Sequence, residues 1–243
     1  MKRLLVLPLL LVSLVSCSQF HIFKKHAEEY VSKESTTPSL SQDEVGKGLK
    51  EALAKGCQSA VSNGGAMDGY YKNPDLFISF PEEAMKVREY ALKAGMKNQV
   101  NDFEKSMNRA AEKSASTAKD ILVSAVLEMT IQDAWSILKG GENAATNYLK
   151  RKTYSSLYDQ FLPISKSSIK DVEVTKYWNP LASTYNKTTF LTGEKKINPD
   201  LDKYITEKTL EGLFVLISKE ENLIRKDPLS RTTDLLKKVF AQQ

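Results

Sequence analysis

The fold of this chain is decided by residues 107–153, MNRAAEKSASTAKDILVSAVLEMTIQDAWSILKGGENAATNYLKRKT. Apolar side chains recur every three or four residues from Met107 to Met129, which is the spacing of one buried helix face. Many of the residues between them are Ala or Ser, whose small side chains allow helices to approach closely. Thr130 followed by Asp133 forms a capping box, and Gly140-Gly141 ends the helix that it opens. The stretch therefore predicts consecutive helices in close contact, with a candidate break near 114–117.

The same patterns continue on both sides of this stretch. Ser41 with Glu44 is a second capping box, which opens a helix to about Ser62 that Asn63-Gly64-Gly65 ends. Further predicted helices have these limits: Pro81 to Gly95; Asn98 onward; Glu142 to Phe161, with Pro163 breaking or restarting it; a segment around 177–185, interrupted at Asn179-Pro180; Asn198-Pro199 to about Ile224; and Asp227-Pro228 onward. The sequence therefore predicts an all-α fold, a single domain of about eight helices over residues 40–243.

The N-terminus predicts export and lipid attachment. Residues 1–16 hold two cations, about a dozen apolar residues and then small residues, which is typical of a signal peptide and too short to span a bilayer. Leu14-Val15-Ser16-Cys17 matches a bacterial lipobox, so Cys17 is the predicted lipidation site; an ordinary secretion signal with a chance cysteine is the alternative. Residues 17–39 lack sustained periodicity and predict a flexible tether. Because Ser18 favours outer-membrane sorting in a Gram-negative cell, we expect a lipid-anchored protein of the cell envelope, on the periplasmic face of the outer membrane.

The residue types in the predicted domain exclude several kinds of site. Both histidines, His21 and His26, lie in the tether, so the domain has no histidine for a catalytic triad or a metal site. Cys57 is its one cysteine, on the apolar side of a helix, where a buried small hydrophobe is expected. We therefore predict no metal and no cofactor. The net charge of +5 is spread without a concentrated basic stripe, which argues against a nucleic-acid partner.

Three polar groups remain as candidates. Thr130 and Asp133 are explained by the helix cap. Asn108, Arg109 and Glu112 form the second group, in which Asn108 and Glu112 lie one turn apart on one side of the central helix. Glu220 and Glu221 lie near the apolar stripe of the long C-terminal helix, where a buried carboxylate needs a partner; the candidate partners are Arg225, Arg231, Asp234 and Arg109. We expect the last two groups to meet, either as a structural ion-pair network or as a functional site in a cleft.

Several longer motifs occur in one order along the domain. They are GLKEAL (48–53), the Asp68-Gly69-Tyr70 turn with Asn73-Pro74, MNRAAE (107–112), MTIQDAWSIL (129–138), AATNYLKRKT (144–153), EGLF (211–214), EENLIRKDP (220–228) and RTTDLLKKVF (231–240). On these motifs the chain resembles the bacterial domain of unknown function family 4197 from about residue 40 to 240. The resemblance implies an all-helical, exported and often lipid-anchored protein, and it implies no established activity. Where the family is expected to have a basic residue and a proline before the second helix, this chain has Phe77 and Ser79.

Two classes of function follow from these observations. The first is a non-enzymatic binding or scaffold protein on the periplasmic side of a membrane, held by its lipid anchor, with an envelope protein or an apolar ligand as its partner. The alternative is a carboxylate-based, hydrolase-like periplasmic enzyme that uses Glu220, Glu221 and Glu112 with Arg partners. A purely structural envelope component is a third, weaker hypothesis. The first predicts an exposed apolar surface or groove, and the second predicts carboxylates that converge on an open cleft.

Overall fold

A computed structural model of the chain describes residues 41–171, 173–197, 199–227 and 237. The predicted signal peptide, the lipobox cysteine, the tether and the last predicted helix lie outside these residues, as do Arg231 and Asp234. The predicted all-α class is confirmed, since the described residues form eight α-helices and contain no strand. The helices are α1 (Gln42–Gly65), α2 (Met85–Lys93, preceded by a 3-10 turn, Glu82–Ala84), α3 (Lys97–Ala115), α4 (Lys119–Leu127), α5 (Ile131–Lys139), α6 (Ala144–Asp171), α7 (Val174–Thr192) and α8 (Leu201–Lys226).

Helix α1 begins as predicted but ends later. The hydroxyl of Ser41 accepts from the Glu44 N–H at 3.2 Å, and the Glu44 carboxylate accepts from the Ser41 N–H at 2.9 Å, which confirms the capping box. The helix runs three residues past the predicted limit near Ser62 and ends at Gly65, within the predicted Asn63-Gly64-Gly65 stop. A Cβ built on Gly65 would lie 2.8 Å from Ser116 Cβ, so this glycine also allows the end of α1 to pack closely against residue 116.

The predicted interruptions at Pro163 and Pro180 are also wrong. Helix α6 runs through Pro163 and helix α7 runs through Pro180. Each proline removes one helical hydrogen bond. Both prolines face solvent, where water can satisfy the carbonyl that is left free, while buried faces continue on either side of them. Packing of an amphipathic face supplies most helix stability in proteins, so it outweighs the lost hydrogen bond here.

Helix α8 begins two residues after the predicted start. Asp200 is its N-cap, and its carboxylate accepts from the Lys203 N–H at 3.2 Å. Of the predicted Asn198-Pro199 start, Asn198 lies outside the described residues. A carboxylate at the N-cap satisfies a helical N–H that a proline at this position does not, so Asp200 sets the first turn.

The core is built around α3 and α8. Helix α8 packs on α1, α3 and α6, and α3 also packs on α7. Phe103 of α3 contacts Phe80 and Trp178, with ring centroids 4.7 and 5.2 Å apart. Each large apolar side chain that is fully buried contributes roughly 1.5–3 kcal/mol to folding. The most completely buried ones include Phe103, Met107, Leu122, Leu149, Leu157, Phe161, Ile205 and Leu210.

Among the described residues, no single helix has both the length and the apolar composition needed to cross a membrane. Helices α4 and α5 would pass that test together, but a bend of 101° separates them.

Candidate functional site

The segment between α1 and the 3-10 turn, residues 66–81, has no regular structure beyond turns, and we call it the connector. Its backbone is paired by side chains of α3. Asn108 is fully buried; its carboxamide oxygen accepts from the Ile78 N–H at 2.9 Å, and its amide donates to the carbonyls of Ile78 and Glu104 at 2.9 and 2.8 Å. An unpaired buried backbone group is costly, so Asn108 replaces the partner that a neighbouring strand would supply.

Glu112 holds the first half of the connector. One carboxylate oxygen accepts from the N–H groups of Tyr70 and Tyr71, both at 3.1 Å, and the other accepts from Arg109 at 2.5 Å. Arg109 also donates to Asp68 at 2.5 Å, and its guanidinium lies 5.5 Å from the centre of the Tyr71 ring. The predicted Asn108, Arg109 and Glu112 group is therefore one contiguous clamp on the connector.

Asp68 sits at the turn of the connector with a left-handed backbone, φ = 69°, which Asp tolerates better than most residues. Lys72 lies 2.7 Å from its carboxylate. Hydrogen bonds from Lys72 and Arg109 hold the pKa of Asp68 below its usual value, because they stabilise the ionised form.

Tyr70 connects the clamp to α8. Its side chain is fully buried, and its hydroxyl donates to the Thr209 carbonyl at 2.6 Å. Burial, together with the nearby Glu112 carboxylate, raises the pKa of Tyr70, so the hydroxyl remains a donor. Gly212 makes room for this ring, since a Cβ there would lie 2.7 Å from a Tyr70 ring carbon.

Glu221 and Arg225 form a second, separate clamp at the corner between α5 and α6. The buried Glu221 carboxylate accepts from the Ala145 N–H at 3.0 Å, and from the N–H and hydroxyl of Thr146, both at 2.8 Å. These donors belong to the N-terminus of α6, where free N–H groups and the helix dipole favour an anion. Arg225 binds Glu221 at 2.9 Å and donates to the Ile137 and Gly140 carbonyls at the end of α5, at 2.8 and 3.2 Å. One ion pair thus caps two helix ends.

The expected meeting of the two candidate groups does not occur in the described residues. Tyr70 reaches α8 at Thr209, whereas Glu221 lies twelve positions further along that helix, which corresponds to about 18 Å of axial rise. Glu220 accepts a hydrogen bond from Ser59 at 2.6 Å on the half-buried side of α1. The predicted partners Arg231 and Asp234 lie outside the described residues.

Thr130 and Asp133 form the predicted cap. The Thr130 hydroxyl accepts from the Asp133 N–H at 3.0 Å, and the Asp133 carboxylate accepts from the Thr130 N–H at 3.1 Å. The hydrogen bonds from Thr130 lower the pKa of Asp133. Tyr148 also donates to this carboxylate at 3.2 Å, which ties the cap to α6.

A surface groove of about 290 Å³ lies beside the first clamp, between the connector and α8. The connector contributes residues 75–79, and α8 contributes Tyr204, Lys208, Glu211, Gly212 and Val215. The Tyr204 hydroxyl donates to the Ser79 carbonyl at 3.0 Å and closes one end. Phe77 and Val215 are 37% and 38% exposed, so the groove has an apolar wall open to solvent.

Sequence reasoning missed this groove as a site, although it marked Phe77 and Ser79 as departures from the family. Both residues line it. No local signal in the sequence locates the groove, because the backbone between Phe77 and Ser79 is held by the pairing of Ile78 with Asn108. That pairing spans 30 residues and has no local pattern.

Other reactive groups are placed unfavourably for chemistry. Burial raises the pKa of the Cys57 thiol to about 12, which keeps it protonated at neutral pH. The described residues hold no cluster of three or more His, Cys, Asp or Glu side chains that could bind a metal ion.

The sequence profile of a family described as "Protein of unknown function (DUF4197)" matches residues 39–241, which is most of the chain. No curated protein and no solved structure matches this chain.

Proposed function

The chain belongs to the DUF4197 family, and from that premise we propose that it is a non-enzymatic binding protein of the bacterial cell envelope, which holds a protein partner in the groove between the connector and α8. A lipid on Cys17 and the tether after it place the domain on the periplasmic face of the outer membrane in this proposal. The lipobox and the Ser18 that follows it are its support.

The observation that carries the proposal is the way Asn108 and Glu112 hold the connector. Together they pair the backbone groups of Tyr70, Tyr71 and Ile78, three points along one loop. A loop fixed in this way loses little conformational entropy when a partner binds. Because the ordered loop forms one wall of the groove, the clamp pre-organises a binding surface.

The composition of the groove favours a protein partner over a small ligand. Its exposed wall carries Phe77, Tyr204 and Val215, and aromatic side chains are typical of interface hot spots. Its rim carries the Lys208–Glu211 and Lys219–Asp75 ion pairs, which give a partner charged positions to align with. At about 290 Å³ the groove lies at the lower end of small-molecule pockets and suits an inserted side chain.

The hydrolase-like alternative has less geometric support. A general acid or base needs an oxygen free to face substrate. Both oxygens of Glu112 and both oxygens of Glu221 are engaged by backbone or Arg donors, in two clamps far apart on α8. Either carboxylate would have to release a helix end or the connector before it could react.

Photocrosslinking in the native envelope tests the proposal. A photoreactive phenylalanine analogue replaces Phe77 in the full-length lipoprotein, and a matched analogue replaces Leu92, which is 38% exposed and lies outside the groove. We expect a discrete crosslinked protein from position 77 only. We also expect Val215→Asp to abolish that product while leaving the melting temperature unchanged. Equal products from both positions, or a product that survives Val215→Asp, would contradict the proposal.

A further inference from the structure

The C-terminal end of α7 exposes two large apolar side chains side by side. Phe190 is 93% exposed and Leu191 is 83% exposed. Both follow Lys187 by three or four residues, so the three side chains share one helical turn. Single exposed apolar residues need no explanation, whereas an adjacent pair at the end of a helix forms a protruding apolar tip.

The chain after this tip is folded back against α7 by specific bonds. Gly193 ends the helix with a left-handed backbone, φ = 71°, and its N–H donates to the Thr189 carbonyl at 2.9 Å. The Asn186 carboxamide then pairs both backbone groups of Ile197, accepting from its N–H at 2.9 Å and donating to its carbonyl at 3.2 Å. Residues 194–196 are thereby held beside the last turn of α7.

Three exposed lysines flank the apolar pair along the chain. Lys187 precedes the apolar pair, and Lys195 and Lys196 follow it on the folded-back segment. The one acid of that segment, Glu194, is neutralised by Lys86 at 2.6 Å. Within the described part of the chain, the three lysines have no ion-pair partner, so their charge is available to an external anion.

The hydroxyl groups of the last turn are satisfied internally. Thr188 donates to the Tyr185 carbonyl at 2.7 Å, Thr189 to the Asn186 carbonyl at 2.8 Å, and Thr192 to the Thr188 carbonyl at 3.3 Å. Polar groups that are already hydrogen-bonded cost less to remove from water. The tip can therefore enter an apolar medium without leaving these donors unpaired.

We infer that this tip, Phe190 and Leu191 flanked by Lys187, Lys195 and Lys196, is a membrane-contact site that inserts into the interface of an anionic lipid bilayer. Apolar side chains beside lysines are the pattern of interfacial membrane binding, in which apolar burial and attraction to anionic lipids act together. A lipid on Cys17 at the end of a tether would hold the chain at the membrane without fixing which face of the domain meets it, and a second contact would fix that face.

The inference rests on the proposed envelope location and adds the orientation of the domain to it. The 23 residues from Cys17 to Ser39 can span at most about 80 Å when fully extended, so an anchor at Cys17 permits the tip to reach the same bilayer. Contact at the tip would fix the orientation of the tethered domain relative to the bilayer.

Depth-dependent quenching in vesicles tests the contact with the full-length lipoprotein. Phe190→Trp places an indole at the tip, and Met67→Trp is the matched control, since Met67 is 82% exposed but is followed by Asp68. Each protein is reconstituted in phosphatidylcholine vesicles with or without phosphatidylglycerol, with brominated acyl chains as the quencher. The unsubstituted chain, with its two native tryptophans, supplies the baseline.

We expect bromolipid quenching of the Phe190→Trp protein in vesicles that contain phosphatidylglycerol, and baseline quenching of the Met67→Trp protein. Reversing Lys195 or Lys196 to Glu should shift the ratio of inserted to free tip by at least roughly fivefold each, as expected for one basic residue near an anionic surface. Added salt should act in the same direction.

Three results would overturn the inference: no quenching of the Phe190→Trp protein, equal quenching in both proteins, or quenching that does not depend on phosphatidylglycerol. A blue-shifted indole without bromolipid quenching would identify a protein contact at the tip and would also overturn it. Mass spectrometry of the N-terminal peptide separates the two proposals. An unmodified Cys17 refutes the lipid anchor, whereas an unquenched tip on an acylated protein refutes only the membrane contact.

Discussion

Glu221→Gln should destabilise this protein far more than Glu220→Gln. The substitution keeps the size of the side chain and removes its charge. Glu221 accepts four hydrogen bonds, three from the N-terminus of α6 and one from Arg225. A glutamine keeps one acceptor oxygen, and its NH2 group takes the place of the second carboxylate oxygen. This NH2 group is itself a donor, so it cannot accept the hydrogen bonds that the second oxygen now receives. The variant therefore weakens the cap of α6 and removes the ion pair between Glu221 and Arg225.

The size of the effect follows from burial. Removing one partner of a buried ion pair costs roughly 3–5 kcal/mol. Arg225 is only 11% exposed, but it keeps the Ile137 and Gly140 carbonyls as acceptors, which places the cost near the lower limit, at about 3 kcal/mol. Glu220 is half-buried and accepts a hydrogen bond of 2.6 Å from Ser59, so Glu220→Gln should cost about 1 kcal/mol or less.

Urea unfolding followed by far-UV circular dichroism measures both values. For a domain of this size, about 3 kcal/mol corresponds to a fall in melting temperature of roughly 6–12 °C. The double variant Glu221→Gln/Arg225→Leu should be less destabilised than the sum of its single variants, because the two side chains form one ion pair and each single variant already loses it. If Glu221→Gln is as mild as Glu220→Gln, the corner clamp does not stabilise the fold in the way described.

Three further outcomes are expected. Gly212→Ala should lower stability by about 1–3 kcal/mol in urea unfolding, because its methyl group would lie 2.7 Å from the Tyr70 ring, whereas Gly141→Ala, with open space around it, should be neutral. The pKa of Asp68 is lowered in the folded state, so the stability contributed by its ionised form is present above the unfolded-state pKa of about 3.9 and is lost as pH falls through the lower folded-state pKa. Asp68→Asn should therefore make the melting temperature depend less on pH below about pH 4. An unchanged profile would refute the assignment. Cys57 should resist iodoacetamide at about pH 8 in the folded protein and react on unfolding, as peptide mass spectrometry can follow; rapid labelling of the native state would contradict its burial.

The parts of the fold that could be predicted depend on neighbours within one or two helical turns. The capping boxes at Ser41 and Thr130 occur where the three-residue spacing placed them, since each involves only local partners. The predicted helix breaks at Pro163 and Pro180 are wrong because they rest on the local effect of each proline alone. A proline penalises a helix locally, but burial of the flanking faces is a property of the packed domain and outweighs the penalty.

The candidate site was only partly accessible from the sequence. Burial of Glu221 near Arg225 follows from the helical stripe, and that pair is confirmed. The partners that give the pair its role, the helix ends at 137–146, are more than seventy residues away in the chain. Asn108, Arg109 and Glu112 were likewise visible as a local group, while the hold of Glu112 on the connector was not.

The sequence by itself determined that the chain is all-helical, where most helices begin and which faces are apolar, because these properties depend on periodicity and on groups three or four residues apart. Tertiary structure alone decided which charges meet and which surfaces remain open. Asn108 pairs with Ile78 and Arg225 pairs with Ile137, whereas the Phe190 side chain stays exposed to solvent. The stretch 107–153 holds donors and acceptors for both clamps, but their partners arrive only when the distant helix α8 and the connector pack against it.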